Sequence, residues 1–313
     1  MPAVDADDAK RFLHPATIAK VGRLDLRAKQ LVEGFIAGLH KSPFFGQSME
    51  FAQHREYVSG DDIRHLDWKV WSKTDKYYIK QYEAETNLRA NLVVDTSESM
   101  GYGTEKHRKN GTLSKYEYAC TAAACLAYII VRQQDSAGVT SFGWDVKQAI
   151  PPKSSQRQLD AITKTVNATK PEQGTRFDKV LRTVAEASHG RGLTVIFSDL
   201  LTDREPLFKG LELLRHRKQD VAVFHILDDD ELDFPFDGTT KFEGLEDLPE
   251  LTCDPKALRA GYLEALDEYL VEVRRGCTRL GIDYGLTRTG DYLDAILSRF
   301  LFRRADRSAS GRR

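Results

Sequence analysis

Apolar residues fall into two rhythms along this chain. Short runs with few polar interruptions, Leu92–Val94, Leu193–Phe197 and Val221–Leu227, have the length and β-branched content of strands covered on both faces. Ile282–Leu286 reads as a further strand, and Ala137–Phe142 with Val146–Ile150 as a hairpin turning at Gly143-Trp144 and closed by Pro151-Pro152. Between these runs the spacing changes to helical. Tyr116–Gln133 is apolar on almost every face, as a helix buried against a sheet would be. Gln156–Val166 places Leu159, Ile162 and Val166 inward, and Gly174-Thr175-Arg176-Phe177 opens a helix through Val180, Leu181 and Val184. Helices are also expected over Pro206–Lys218, Pro255–Leu280 and Tyr292–Phe302. Alternating strand and helix implies right-handed crossovers, hence an α/β fold with a mostly parallel sheet flanked by helices.

Ahead of this lies a different texture. Residues 1–13 read as a disordered lead-in, and residues 14–87 as an α+β extension. Its first helix carries Ile18, Val21, Leu24, Leu31, Phe35, Ile36 and Leu39, is weakened by Gly34 and Gly38, and ends at Ser42-Pro43. A second helix, capped by Asp61 or Asp62, sets Ile63, Leu66, Val70 and Trp71 on one face, and strand-like Tyr77–Tyr82 follows Asp75. The main domain is then expected over 88–302, with an irregular insertion at about 228–254 holding a turn at Phe234–Gly238 and a small hairpin around Thr240–Leu245. A basic tail, 303–313, reads as disordered.

Charge changes this picture little. Formal net charge is −1, so no nucleic-acid or anionic-membrane partner is implied, and Glu83 and Glu85 beside Tyr77, Tyr78 and Tyr82 would repel phosphates. The acidic run Asp228–Glu231 and the arginine-rich end read as solvated loop and tail. Cys120, Cys125, Cys253 and Cys277 form no C-x-x-C pair, and Cys120 and Cys125 read as reduced core residues, which fits a cytoplasmic protein. No signal pattern opens the chain, and the longest apolar stretch, about 14 residues, falls short of the ~20 needed for a membrane span.

The candidate chemistry sits where strands end. Leu92–Val94 stops at Asp95, with Ser97 and Ser99 at alternate positions beyond it; Thr175 follows Gly174; Asp199 follows the Leu193–Phe197 strand. In an open α/β sheet the carboxyl ends of the strands are where ligands bind. Asp95, Ser97, Ser99, Thr175 and Asp199 all offer hard oxygen donors, which suits Mg2+ or Mn2+ rather than zinc or copper. With so few charged donors, an ion held there keeps an appetite for an outside carboxylate. Binding an acidic partner is therefore expected, and no catalytic residue is assigned. The alternative is a magnesium-dependent phosphohydrolase with Asp95 as nucleophile; the position two residues on, where an acid–base group would help, is Ser97. No G-x-S-x-G elbow, dinucleotide loop or P-loop exists, and His54-x-Glu56 lacks the cysteines of a zinc deaminase.

D-x-S-x-S after a buried strand, a G-T opening a later helix and a strand-end Asp resemble the metal-ion-dependent adhesion site of von Willebrand factor A domains. The segment E-F-x-x-x-R-E-Y-x-x-G-D-D-I-R-x-x-D-W-K, Glu50 to Lys69, resembles the bacterial domain-of-unknown-function family 58, whose members couple it to an adhesion-type A domain. Asp254-Pro255, Tyr262 and Gly281-Ile282-Asp283-Tyr284 extend the resemblance over nearly the whole chain. It implies a von Willebrand factor A-like (Rossmann-like) fold, metal ligation by Asp95, Ser97, Ser99, Thr175 and Asp199, and work alongside a MoxR-type AAA+ ATPase. It transfers no role to Gly60-Asp61-Asp62 or Asp67-Trp68.

Overall fold

The computed structural model describes residues 23–39, 51–58, 67–74, 76–82, 88–103, 106, 109–110, 112–171, 174–188, 190–242 and 251–310. The lead-in, the Gly60-Asp61-Asp62 motif, the expected cap at Asp61 or Asp62, and the start of the first expected helix lie outside them. The chain divides into two compact units, one of residues 39–87 and one of the remainder.

In the small unit, β1 (Phe51–Glu56) pairs antiparallel with β2 (Tyr78–Tyr82), Glu56 opposite Tyr78. Between them lies α2 (Trp68–Thr74), the second helix of the chain among the described residues. Asp67 supplies its cap, Oδ1 accepting from Val70 N–H at 3.3 Å. Trp71 stacks on Tyr77 at 6.1 Å between ring centres.

The large unit opens with α1 (Leu24–Leu39), whose Leu24, Ala28, Leu31 and Val32 are buried at helical spacing. There follow β3 (Arg89–Asp95), α3 (Lys115–Arg132), β4 (Ser136–Phe142), β5 (Val146–Lys153), α4 (Gln156–Ala168), α5 (Phe177–Ala187), β6 (Gly192–Ser198), α6 (Arg204–His216) and β7 (Gln219–Leu227). Next come α7 (Asp229–Asp233), β8 (Thr240–Phe242), β9 (Leu251–Cys253), α8 (Pro255–Arg279), β10 (Asp283–Arg288) and α9 (Leu293–Ser310).

Six strands form the main sheet in the order β10-β7-β6-β3-β4-β5. All neighbours are parallel except β4–β5. This is the α/β, mostly parallel architecture the apolar runs predict, and its order reverses between β3 and β6, the switch point at which doubly wound sheets bind ligands. Val93, Ile196 and Val223 face one layer with α5, α6 and Val273 and Cys277 of α8. On the other face Phe197 stacks on Phe224, and Phe224 meets Phe300 of α9. There α3 buries Ala119, Ala122, Ala123, Ala124 and Ala127, small side chains that let the helix lie close to the strands. A capping box between Ser114 and Glu117 starts α3, and α1 rests on it, Arg27 Nη1 donating to Thr121 Oγ1 at 3.2 Å.

Three expectations need correction. Pro151-Pro152 does not close the hairpin: β5 runs through both prolines to Lys153, which an edge strand tolerates because its outward amides need no partner. The insertion is less irregular than expected, with α7 inside it and β8 pairing with β9 rather than within Thr240–Leu245. The basic tail is helical as far as Ser310, since neither proline nor glycine interrupts the sequence between Leu293 and Gly311.

Candidate functional site

Asp95 ends β3 at the switch point and is 1% exposed. Local hydrogen bonds dictate the turn beyond it. Thr96 donates through both its backbone N–H and its Oγ1 to Phe142 O, each at 2.7 Å, tying the loop to the neighbouring strand. Asp95 Oδ1 accepts from Ser97 N–H at 2.8 Å, an Asx turn that folds the serine back over the strand end. A 3-10 turn over Glu98–Gly101 then brings Ser99 Oγ to 3.0 Å from Ser97 Oγ. From the loop before α5, Gly174 at φ +43° aims Thr175 inward, and Thr175 Oγ1 donates to Asp95 Oδ1 at 3.5 Å.

The β6 end supplies the other side. Ser198 Oγ donates to Asp95 Oδ2 at 2.5 Å and accepts from Leu200 N–H at 2.9 Å. Asp199, also 1% exposed, takes Leu201 N–H on Oδ1 at 3.3 Å and the Lys115 ammonium on Oδ2 at 2.8 Å. Lys115 is itself fully buried and reaches Glu231 Oε1 at 2.7 Å. Below them His225 bridges Asp199 O at 2.7 Å and Tyr284 Oη at 2.8 Å.

The electrostatics follow from this crowding. Burial, and then the charge of Asp199, push the Asp95 carboxyl up to about 7, against the pull of the Ser198 and Ser97 donors. Burial alone would lower the Lys115 ammonium, but Asp199 and then Glu231 outweigh it and hold it above its ordinary range. Glu231 is raised, its burial outweighing the ammonium. His225 is lowered to about 4, chiefly by burial, and so is neutral.

The donors fit a small hard cation. Two ligands ~2.1 Å from a magnesium ion and at right angles to each other lie ~3.0 Å apart, the separation of the two serine oxygens. Asp95 meanwhile faces a second carboxylate at a cost that a divalent charge would relieve. Because three of these donors are hydroxyls, the fit does not depend on carboxylate or imidazole clusters; among the described residues no group of three His, Cys, Asp or Glu is arranged around one point for a metal. Asp199, whose Oδ2 is held by the Lys115 ammonium, would act on such an ion through water.

The sequence reading missed Ser198, Lys115 and Glu231. Lys115 carries a weak signal: a lone cation heading an apolar helix, at the end where the helix dipole disfavours positive charge. The acidic run is not solvated loop. Asp228 is fully buried and accepts from Thr289 Oγ1 at 2.8 Å, Asp229 and Asp230 meet Arg288 and Lys106, and Glu231 holds Lys115. Around the site, Trp144 is 58% exposed with Arg176 over its ring, and Leu201 is 46% exposed. Cys120, Cys125 and Cys277 are buried free thiols. Among the described residues no helix is long and apolar enough to cross a membrane.

Among solved structures, the chain is similar to the conserved hypothetical protein BatB from Bacteroides thetaiotaomicron, at 12% identity and a TM-score of 0.46 over 70% of this chain and 99% of that one. It is also similar to the SpRpn10 VWA domain, at 11% identity and a TM-score of 0.37 over 68% of this chain and 95% of that one. An uncharacterized protein of Mycobacterium bovis is 27% identical over 272 residues, 84% of this chain and 83% of its own length. Residues 53–269 match the sequence profile described as Protein of unknown function DUF58, and the chain belongs to that family.

Proposed function

We propose that this protein is a non-enzymatic, metal-dependent protein-binding module of the von Willebrand factor A type. Asp95, Ser97, Ser99 and Thr175 would hold Mg2+ or Mn2+, with Asp199 acting through water. Bound there, the ion supplies a Lewis-acidic position for an Asp or Glu side chain of a partner. The observation that carries this reading is the convergence of a buried carboxylate and three hydroxyls at the switch point, with Ser97 and Ser99 Oγ 3.0 Å apart. Exposed Trp144 and Leu201 on flanking loops give a protein partner apolar surface to cover. On the family resemblance, a MoxR-type AAA+ ATPase would act on the assembly.

Calorimetric titration with magnesium tests the first step: wild type binds and Asp95→Ala does not. Equal, negligible heats for both proteins refute it. Capture of an AAA+ ATPase from a bacterial extract, lost on adding a chelator, tests the second.

The placement of Asp95, a buried carboxylate at the carboxyl end of a strand where doubly wound sheets bind ligands, is the one observation that would also serve a phosphohydrolase with Asp95 as nucleophile. Magnesium-dependent turnover in a phosphatase panel, abolished by Asp95→Asn, would establish that reading instead.

A further inference from the structure

The two edges of the main sheet are built differently. β5, at one edge, carries Lys147, Pro151, Pro152 and Lys153, all devices that discourage another strand from pairing. β10, at the other, reads Asp-Tyr-Gly-Leu-Thr-Arg and has neither proline nor lysine. Thr289 N–H bonds to Leu227 O at 3.1 Å, which fixes the alternation: odd-numbered peptide groups face β7, and those of Tyr284 and Leu286 point away from the sheet. Among the described residues no strand pairs with that side of β10.

Helices α8 and α9 lie on opposite faces of the sheet and flank this edge. Between them, along β10, runs a cavity of about 680 Å³. Arg274 lines one wall, Arg299, Phe300 and Arg303 the other, and Gly285 and Thr287 lie on the floor. All three arginines are exposed, and no hydrogen bond or ion pair engages their guanidinium groups among the described residues. Their neighbours differ: Arg288 is engaged by Asp233 at 2.9 Å and Arg304 by Asp220 at 2.7 Å. Asp283, the one carboxylate among the described lining residues, lies 3.8 Å from Arg304. Thr287 is 1% exposed and its Oγ1 has no hydrogen-bond partner. A Cβ built on Gly285 would meet only Val223 O, at 4.0 Å, so a second backbone has room to approach there.

We propose that this groove takes an extended acidic segment of a partner protein as a seventh strand. Its backbone pairs with Tyr284 and Leu286, and its carboxylates meet Arg274, Arg299 and Arg303. Main-chain pairing supplies affinity in this mode of recognition, and the flanking charges supply selectivity. This is a second surface, separate from the residues that would hold the ion.

The test uses the full chain in chelator, which silences the cation site, and a fluorescein-labelled ten-residue peptide of alternating valine and glutamate. A valine–lysine peptide is the control. The acidic peptide binds, the basic one does not, binding weakens as salt rises, and hydrogen exchange slows at the Tyr284 and Leu286 amides. Reversing two arginines, Arg299→Glu with Arg303→Glu, weakens binding at least about tenfold, as expected for charged hydrogen bonds. These exposed positions leave the fold intact, so the result does not hinge on Leu286→Pro, which removes an edge donor and abolishes binding. Equal binding of both peptides, no binding, or binding without protection of those two amides overturns the proposal. So does acidic-peptide binding that appears only when magnesium replaces the chelator, which would assign the acid to the cation site.

Discussion

Lys115→Met tests the electrostatic framework of the site most directly. Methionine retains much of the apolar stem and removes only the ammonium, which in the native chain lies 2.8 Å from Asp199 and 2.7 Å from Glu231. The Asp199 side chain is 2% exposed and that of Glu231 15%, so water cannot replace the lost partner. Breaking a buried pair from one side costs roughly 3–5 kcal/mol, because a desolvated charge is left uncompensated. At ~2–4 °C per kcal/mol for a chain of this order, the midpoint of thermal unfolding should fall by roughly 6–20 °C. Near-ultraviolet circular dichroism through a thermal ramp, with chelator present, reads this out. The triple variant Lys115→Met, Asp199→Asn, Glu231→Gln removes the charges together and should recover most of the loss, because the cost lies in unpaired charge and not in the absent contact. A single variant that melts within ~2 °C of wild type, or a triple variant no better than the single, would refute the reasoning.

The site also predicts how stability responds to pH. His225 is neutral in the fold, with a pKa lowered to about 4 from 6.5, so the unfolded chain binds its proton first as pH drops. The contribution is fully present above pH ~6.5 and is lost as pH falls towards 4, on the order of 3 kcal/mol at 1.36 kcal/mol per unit. Urea titrations at pH 7, 5.5 and 4.5 should therefore show wild type losing more stability than His225→Gln, and parallel losses would be evidence against it. Thr175→Ala, which removes the half-exposed hydroxyl from the Asp95 cluster, should weaken magnesium binding by calorimetry while leaving the unfolding midpoint within about 0.5 kcal/mol of wild type, as for other partly exposed substitutions. Gly138→Ala should cost roughly 1–3 kcal/mol by urea unfolding, since a Cβ there would lie 2.5 Å from Ile150 O and 2.7 Å from Pro152 N.

Which of these features the sequence revealed depends on how local their causes are. β3, β6 and β7 are legible because a strand covered on both faces must be apolar at every position, and Leu92–Val94, Leu193–Phe197 and Val221–Leu227 have few polar interruptions. Asp95, Ser97 and Ser99 are legible because one Asx turn and one 3-10 turn, both short-range, bring them together. Lys115 and Glu231 are not, because they meet across 116 residues and no periodicity carries that pairing. The same blindness turns Asp228–Glu231 into an apparent solvated run, since a count of local charge cannot see Thr289, Arg288 or Lys106 arriving from elsewhere. Pro151-Pro152 misleads for a related reason. Whether proline ends a strand depends on whether its neighbour on that side is another strand or solvent, and that is decided by sheet order.

The bonding of the two aspartates bears on what the site is for. A nucleophilic carboxylate needs an acid–base group beside it. Asp95 has Oδ1 engaged by Ser97 N–H and Thr175 Oγ1, and Oδ2 by Ser198 Oγ at 2.5 Å. Asp199 is tied by Lys115 and Leu201, and among the described residues the imidazole nearby, His225, has both nitrogens occupied and a pKa lowered to about 4. Asp95, Asp199 and His225 are each thus held in place by at least two hydrogen bonds. Such an arrangement loses little entropy on taking up a ligand, because the donors are already ordered. The same logic explains the lysine. An internal cation that satisfies Asp199 keeps the total negative charge low, so an ion among the hydroxyls would retain more of its own charge for a carboxylate arriving from outside. On the proposed function, fixed donors, an internal counter-charge and apolar side chains on the surrounding loops would act together to grip an acidic partner.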